Sequence, residues 1–427
     1  MLNIKQIRES PEYFKRGLER RKLPPSLIDK CIELDAMRRR LITSIQELRH
    51  LRNVKAEEVG RVKKSGGDVS HLIREMETIN IRINELEIGL KSVENELYKT
   101  LISLPTVPHE SVPDGETADE NVVLRVWGES RAAEFVRDHV DLLKIIGGAD
   151  IERAAKVSGA RFYYLYDKIV LLNYALINYA LDFLSRKGFR LVQPPYMLRR
   201  EVMESVMAFA DFKEMIYKIE DEELYLIGTA EHPLAGLHAD EILDGRMLPL
   251  RYAGVSPCFR REAGAHGKDT KGIFRVHQFE KVEQFIFCKP SQSWDEHEFL
   301  LQNAEEIYRS LGLPYRVVNI CVGDLGPVAA KKYDIEVWMP AMRAYKEIVS
   351  CSNCLDYQAM RLNIRYREEP HDEETHYVHT LNSTAIATER TIVAILENYQ
   401  LRDGSIEVPE ALRPYMRNES VIRPARS

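Results

Sequence analysis

The chain has 427 residues, a length that corresponds to two or three domains of ordinary size. It carries 60 Lys and Arg against 66 Asp and Glu, so the formal net charge is −6 and the chain as a whole is not a basic nucleic-acid coat protein. Hydrophobic residues make up 44% and charged residues 30%, which excludes intrinsic disorder and is typical of a soluble globular protein.

The cysteines and the N-terminus indicate a reducing compartment. Six cysteines at irregular spacings do not form the pattern of a disulfide framework. Cys351 and Cys354 make one CxxC, but no second ligand pair stands at a matching spacing, which disfavours a zinc site. Because the chain also lacks a signal-peptide core and an 18-residue apolar run, we expect a cytoplasmic protein with no membrane association.

Two long helices are predicted between residues 27 and 103. In the second helix, apolar residues recur at alternating spacings of four and three, which is the seam of a coiled coil. These residues are Leu72, Met76, Ile79, Ile83, Leu86, Leu90, Val93 and Leu97. The first helix has a similar apolar stripe, and a Gly-Gly turn at 65–68 separates the two, with Asp68 or Ser70 as the next N-cap. The pattern predicts an antiparallel hairpin about 50 Å long.

The two predicted helices differ in charge. Residues 27–64 contain ten Lys and Arg against six acids, whereas residues 69–103 contain four against six. The excess of positive charge has two interpretations. These cations either solvate the surface of an ordinary coiled coil or bind the phosphates of an RNA.

A change in pattern near residue 105 predicts a domain boundary. The prolines and glycines of residues 105–121 interrupt the apolar periodicity, so this stretch is predicted to be a linker between residues 1–104 and residues 122–427. Beyond it, short β-like runs alternate with helical runs at 168–187, 293–311 and 387–400. The fold class predicted is α+β, with a helical hairpin followed by a domain whose mostly antiparallel sheet is flanked by helices.

Residues 257–287 form the densest group of candidate site residues. Arg260 and Glu262 precede a Gly-rich basic loop, and after it the alternation places Arg275, Phe279 and Glu283 on one face of a strand, together with His277 and Lys281. A guanidinium suits a phosphate, an aromatic ring suits a purine, and a carboxylate suits an amine. Each pair taken alone is also typical of a surface ion pair.

Residues 257–287 also resemble motif 2 of the class II aminoacyl-tRNA synthetases. The segments FRREAG and GKDTKGIFRVHQFEKVEQF are similar to those of the seryl-tRNA synthetase family. The resemblance covers nearly the whole chain and includes LPTVPHESVPDG, GTAEHPL, EIVSCSNCLDYQAM and NSTAIATERTIVAILENYQ. GTAEHPL and NSTAIAT resemble the archaeal and eukaryote-like branch, and the hairpin disfavours the metal-dependent methanogen type.

This resemblance implies an ATP site with Mg²⁺. Arg260 would hold the α-phosphate and Arg390 the γ-phosphate, while Glu262 meets the adenine amino group and Phe279 stacks on the ring. Glu347 and Ser350 would bind ATP through Mg²⁺, because Mg²⁺ prefers hard oxygen ligands. The implied ATP-binding set is Arg260, Arg261, Glu262, Arg275, Val276, Phe279, Glu347, Ile348, Val349, Ser350 and Arg390. Of these, Arg260, Glu347 and Arg390 are the implied catalytic residues.

The same resemblance implies a site for L-serine and a tRNA partner. The implied serine-binding set is Thr229, Ala230, Glu231, Arg260, Glu283, Asn382 and Thr384. The hairpin would bind tRNA(Ser), and also tRNA(Sec) where that is present. Gly188–Pro195 resembles motif 1, which implies a homodimer. One departure from the family pattern is Glu389, an acid directly before Arg390.

The implied reaction is the ATP-dependent ligation of serine to tRNA. Two other hypotheses stay open. A paralogue that loads a carrier protein would resemble only the catalytic domain, so the hairpin disfavours it. A structural protein with an inactive catalytic domain would not need Arg260, Glu262, Glu347 and Arg390, all of which are present.

Overall fold

A computed structural model describes residues 1–130, 135–207, 215–262 and 271–425. The chain divides into two compact units, Met1–Val107 and Pro108–Ser427.

The first unit is entirely helical in its regular structure. Its helices are α1 (Ile4–Glu9), α2 (Pro11–Arg20), α3 (Ser26–Lys64) and α4 (Ser70–Ser103). α3 and α4 pack along each other as the predicted hairpin, and Ile45 meets Ile79 and Ile83 in its apolar seam. α4 begins at Ser70 with Val69 at its N-cap, so the predicted N-cap at Asp68 or Ser70 is wrong by one position. Asp68 still accepts hydrogen bonds from the backbone N–H of Ser70 at 2.9 Å and from its hydroxyl at 2.6 Å.

Ion pairs cross the hairpin at several levels. Arg49 lies 2.7 Å from Glu87, Lys55 lies 2.7 Å from Glu75, and Lys30 lies 2.8 Å from Glu96. Within the described part of the chain, five other cations of α3 form no ion pair: Arg40, Arg52, Arg61, Lys63 and Lys64. The positive charge of α3 is therefore only partly balanced by α4.

The second unit is built on a sheet. Its strands are β1 (Val122–Trp127), β2 (Ala149–Asp150), β3 (Tyr164–Leu165), β4 (Arg190–Val192), β5 (Met197–Arg199), β6 (Leu224–Leu226), β7 (Ile242–Asp244), β8 (Leu250–Phe259), β9 (Gln278–Cys288), β10 (Tyr315–Asn319), β11 (Lys331–Met339), β12 (Ala344–Asn353), β13 (Arg365–Arg367), β14 (His376–Tyr377), β15 (His379–Ala387), β16 (Ile406–Glu407) and β17 (Val421–Ile422). Eight of them form one sheet in the order β1-β10-β11-β12-β15-β9-β8-β4. Every neighbouring pair is antiparallel except β4 and β8, which confirms the predicted sheet.

Helices cover one face of this sheet. The helices of the second unit are α5 (His139–Ile145), α6 (Ile151–Ser158), α7 (Asp167–Arg186), α8 (Arg200–Val206), α9 (Glu231–Ala235), α10 (Ser293–Ser310), α11 (Tyr357–Arg361) and α12 (Thr388–Asn398). Leu172 of α7, Leu300 of α10 and Ile392 of α12 are fully buried in one core with Val282 and Ile286 of β9. The predicted helical runs correspond to α7, α10 and α12. Among the described residues, no helix is both long enough and apolar enough to cross a membrane.

The segment predicted as a linker is anchored to the second unit from residue 108 onward. His109 N–H donates to the carbonyl of Ala330 at 2.9 Å, and Val322 N–H donates to that of Pro113 at 3.0 Å. A side chain at Gly323 would meet the Glu116 carbonyl oxygen at 2.3 Å, so the two backbones touch. The prolines and glycines interrupt the apolar periodicity of this segment, which is why the sequence predicts a linker. Its backbone N–H and carbonyl groups nevertheless form hydrogen bonds with the second unit.

Two further features concern the strand edge and the cysteines. β4 lies at the edge of the large sheet and is separated by one residue from Pro194 and Pro195, where a missing backbone donor is tolerated. All six cysteines are buried free thiols.

Candidate active site

A cavity of about 350 Å³ lies over the middle of the large sheet. Fourteen of the sequence-predicted residues line it, which brings together segments that are up to 161 positions apart. They are Thr229, Glu231, Arg260, Glu262, Arg275, Val276, Phe279, Glu283, Glu347, Ile348, Ser350, Asn382, Thr384 and Arg390.

The side chains of three predicted residues do not line the cavity. Ala230 is fully buried beneath it, and Val349 lies in the core on the helical side of the sheet. Arg261 is exposed at the rim, where its backbone N–H donates to the Met215 carbonyl at 2.9 Å. Val349 points away from the cavity because side chains alternate along β12, whereas Ala230 and Arg261 lie outside the strands, directly before α9 and after the end of β8.

The strand register explains why distant residues meet. Glu283 of β9 faces Thr384 of β15, and Asn382 of β15 faces Ser352 of β12. On the other side of β9, Glu283 faces Gly254 of β8. A side chain at Gly254 would meet Leu234 of α9 at 2.8 Å, so this glycine lets the α9 segment, with Thr229 and Glu231, lie close to the sheet.

A bulge in β12 decides which of its residues face the cavity. Ile335 pairs with Val349 and Glu336 pairs with Glu347, so Ile348 has no partner across the ladder. The extra residue brings Glu347 to the same side as Ser350, which strict alternation would not do. Glu347, Ile348 and Ser350 therefore all line the cavity, while Val349 faces the core.

Arg260 is fixed at one end of the cavity. β8 ends at Phe259, and the Arg260 Nε then donates to the Gly228 carbonyl at 3.1 Å, while its guanidinium carbon lies 5.1 Å from the centre of the Phe279 ring. The adjoining Glu262 has a positive φ of 47° and accepts from Arg275 at 3.2 Å. This pocket combines a cation, an aromatic ring and a carboxylate, as the sequence predicts.

The strand that follows the Gly-rich loop begins later in the structure than the sequence predicts, so its first two predicted face residues lie outside it. β9 starts at Gln278, so Arg275 reaches the cavity from the preceding turn, and the ring of His277 turns to the Arg260 carbonyl at 2.9 Å. Phe279, Lys281 and Glu283 do share the face that lines the cavity.

Arg390 and Glu347 lie together at the other end. The Arg390 Nη1 donates to the Glu347 carbonyl at 2.8 Å and lies 3.5 Å from Glu347 Oε2. Its guanidinium carbon is also 5.1 Å from the centre of the Phe274 ring. Desolvation of the Glu347 carboxylate, whose side chain is still 48% exposed, is outweighed by the nearby cations, chiefly Arg390 and Lys332, so its pKa lies below the ordinary value.

The residues around Glu347 fit a Mg²⁺ ion. Glu347 offers a carboxylate and Ser350 a hydroxyl, and the buried Oδ1 of Asp334, which faces Ser350 across the ladder, has no hydrogen-bond partner. Mg²⁺ is held in many enzymes by one or two carboxylates together with substrate phosphates. Within the described residues, no group of three His, Cys, Asp or Glu is placed to hold a metal ion by itself.

Two carboxylates, the fully buried Glu283 and the partly buried Glu231, line the middle of the cavity with a lysine. Glu283 forms an ion pair with Lys281, and Glu231 accepts from Gln358 Nε2 at 2.9 Å. Burial, and then repulsion by Glu283, raises the pKa of Glu231 to about 7. Burial and the cations Arg260 and Lys281 lower the pKa of His232 to about 3, so this ring is neutral. A ligand that carries an ammonium group would compensate both carboxylates.

The sequence-based site set omits several cavity residues. Lys281 lies on the predicted face of β9 and could have been included on that ground, and Cys354 belongs to the CxxC. His232, Ser352, Glu389 and residues 325–329 also line the cavity. Of these, only Glu389 stands out in the sequence, as a departure from the family pattern and not as a site residue.

Replacement of Glu231 by Gln should change how stability depends on pH. The pKa of Glu231 is raised in the folded state, so the folding free energy that this group contributes is fully present below about 4.5 and lost as the pH rises to about 7. Above pH 7, we therefore expect E231Q to be more stable than the parent by about 2–3 kcal/mol, and at pH 4.5 to be equal to it. Unfolding by urea at both pH values measures this difference, and a difference independent of pH would contradict it.

Comparison with known proteins matches both units of the chain to synthetase families. Residues 1–108 match the family model of the seryl-tRNA synthetase N-terminal domain, and residues 216–399 match that of the tRNA synthetase class II core domain (G, H, P, S and T). A serine--tRNA ligase of Thermococcus sibiricus is 53% identical over 97% of this chain and 96% of its own length. That of Nitrosopumilus maritimus is 48% identical over 99% of this chain and 100% of its own length.

Solved structures agree with these relatives. The crystal structure of seryl-tRNA synthetase from Pyrococcus horikoshii complexed with ATP has a TM-score of 0.95 at 52% identity, and the match covers 100% of both chains. The cytoplasmic serine-tRNA ligase from Naegleria fowleri in complex with AMP has a TM-score of 0.90 at 37% identity and covers 100% of this chain and 99% of its own. The chain therefore belongs to the seryl-tRNA synthetase family of class II aminoacyl-tRNA synthetases.

Proposed function

We propose that this chain activates L-serine with ATP and transfers the seryl group from seryl-adenylate to tRNA(Ser). The observation that carries the proposal is the convergence of two cations, Arg260 and Arg390, with two carboxylates, Glu231 and Glu283, in one cavity. Cations suit the phosphates of ATP, and carboxylates suit the ammonium of an amino acid. The relatives' names specify serine.

In the first step, the serine carboxylate attacks the α-phosphorus of ATP and pyrophosphate leaves. Arg260 would hold the α-phosphate and Arg390 the γ-phosphate, so the chain aligns the reacting groups and stabilises the charge that develops on the phosphoryl oxygens. Phe279 would stack on the adenine and Glu262 accept from its amino group. Bound Mg²⁺, held by Glu347, Ser350 and the phosphates, would supply further charge neutralisation.

Serine would be recognised by its ammonium and its hydroxyl. Thr229, Glu231 and Glu283 would accept from these groups, while Asn382 and Thr384 flank the side chain from β15. A site that hydrogen-bonds a hydroxyl discriminates strongly against alanine, because the buried polar groups would lose their partners. In the second step, the terminal ribose hydroxyl of the tRNA takes the seryl group, and AMP leaves.

The hairpin would supply the choice of tRNA. Its unpaired cations on α3 suit the phosphates of a long RNA arm, which is recognised by shape more than by base sequence. We extend the proposal to tRNA(Sec) where that tRNA is present, to a homodimer, and to a cytoplasmic location. The exposed Leu191 on the edge strand β4 supports the dimer, because a sheet edge is a ready surface for a second copy.

The decisive experiment is ATP–pyrophosphate exchange with each of the twenty amino acids, followed by aminoacylation of total tRNA. Exchange with serine alone, together with charging of tRNA, supports the proposal. Exchange without charging of tRNA would favour a carrier-loading enzyme. No exchange with any amino acid would mean that the cavity does not activate amino acids with ATP, and the proposal would be wrong.

Neutralisation of the five unpaired cations of α3 should weaken tRNA binding and its dependence on salt. We expect the quintuple change to Gln at residues 40, 52, 61, 63 and 64 to lower the slope of log K against log salt by about 0.7–0.9 for each lost phosphate contact. Filter binding between 50 and 300 mM KCl measures the slope. Lys91→Gln with Lys99→Gln on α4 is the matched control, and an equal loss there would contradict a specific role for α3.

A further inference from the structure

Glu389 directly precedes Arg390 in the first turn of α12. Its carboxylate therefore lies where a positive potential, not a negative one, would favour the binding of ATP. The side chain borders the cavity and is 2% exposed. Within the described residues, its carboxylate makes no ion pair with Arg390. The carboxylate must therefore be explained by its other contacts.

Three hydrogen-bond donors from three parts of the second unit meet this carboxylate. The backbone N–H of Glu280 in β9 donates to Oε2 at 3.1 Å, and the hydroxyl of Thr388 donates to the same oxygen at 2.9 Å. The hydroxyl of Tyr163, next to the ribbon of β2 and β3, donates to Oε1. The Arg390 guanidinium has a different partner, since it donates to the Glu347 carbonyl at 2.8 Å.

These contacts join the two ends of the ATP cavity. Glu280 stands between Phe279 and Lys281 on β9, whereas Glu389 stands beside Arg390 on α12. We propose that Glu389 is a positioning residue that ties the first turn of α12 to β9 and Tyr163, and so holds Arg390 at the distance from Phe279 that a bound nucleoside triphosphate requires. This inference rests on the proposed function.

The contact is expected to depend on pH. Burial raises the pKa of Glu389 to about 7, although Tyr163, Thr388 and the Glu280 N–H favour the ionised form. The titratable groups that face it are Tyr163 and Glu280, and the Glu280 carboxylate itself accepts from Asn173 of α7. Protonation of Glu389 would place a hydrogen on a carboxylate oxygen that otherwise accepts a hydrogen bond. The contact of Glu389 with β9 and Tyr163 should therefore be weaker below about pH 7 than above it.

The test uses serine-dependent ATP–pyrophosphate exchange by the full-length protein. We expect Glu389→Gln to raise the KM for ATP about tenfold, the loss typical of a hydrogen bond to a charged group, and to leave the KM for serine within about twofold. Tyr163→Phe should give a smaller change of the same kind, and the double variant should resemble E389Q because both changes break one contact. Below pH 7, kcat/KM for ATP should fall more steeply in the parent than in E389Q.

Glu397→Gln is the matched control. Glu397 is a buried acid on the same helix that accepts from the Ala341 N–H at 3.1 Å and lies 3.2 Å from His139 Nδ1. E397Q should lower the melting temperature without changing either KM. The inference is overturned if E389Q leaves the KM for ATP unchanged, if both KM values rise together, or if E397Q gives the same shift. Absence of exchange in the parent would instead overturn the proposed function.

Discussion

Arg260→Ala should reduce serine-dependent ATP–pyrophosphate exchange by about 100- to 1,000-fold or more. The guanidinium is held by the Gly228 carbonyl and lies against the Phe279 ring, so it is positioned before a substrate binds. A preorganised group that meets developing charge contributes mainly to the transition state, and kcat should therefore fall more than the affinity for serine. Initial rates of exchange at saturating ATP and serine measure this loss.

The control for this prediction is Arg251→Ala on β8, the strand that ends directly before Arg260. Arg251 pairs with Glu296, with its Nε 2.9 Å from Oε2, and it does not line the cavity. Its removal should lower the melting temperature but keep exchange within a few fold of the parent. If R251A lost as much activity as R260A, the loss would be due to damage to β8 and the role of Arg260 would be wrong.

Removal of the outer hairpin should separate the two reactions. We expect a chain in which residues 42–89 are replaced by a short Gly-Ser turn to keep serine-dependent exchange and to lose at least about 100-fold in tRNA charging, because the phosphate contacts of the arm are gone. The cut keeps the core at the base of the unit, where Leu34, Leu97 and Leu101 pack together. A deletion of residues 30–100 would remove Leu34 and Leu97 from this core.

Exchange and aminoacylation are measured on the same preparation, so that exchange reports an intact catalytic unit. A variant that charges tRNA(Ser) as well as the parent does would show that the hairpin is not the tRNA-binding element. A variant inactive in both reactions would identify the hairpin as necessary for folding, and the charge variants of α3 would then decide its role in tRNA binding.

Local patterns predicted the elements that depend on neighbours in sequence. The spacing of Ile79 and Ile83 gives the seam of the hairpin, and both are buried there. The alternation of Phe279, Lys281 and Glu283 gives the face of β9 that lines the cavity. These are periodic signals, and they follow from the geometry of a helix or a strand.

Local patterns could not predict which distant residues meet in the cavity. Glu347 reaches the cavity only because of the bulge at Ile348, and no residue of EIVSCS signals that extra position. The family resemblance supplied Glu347, Asn382 and Arg390 as candidates, whereas the contacts of Glu389 depend on Tyr163, which lies 226 positions away. Such arrangements result from tertiary packing, which a single sequence does not display.

The buried thiols provide built-in reporters of local opening. A thiol reagent can react with them only after the surrounding structure opens, so labelling rates measure the free energy of that opening. Cys31 lies in the base of the helical unit, whereas Cys354 lines the cavity, where Asn382 donates to its sulfur at 3.6 Å. Ligands of the cavity should therefore slow the labelling of Cys354 while leaving Cys31 unchanged, which would resolve the motions of the two units in one protein without an added probe.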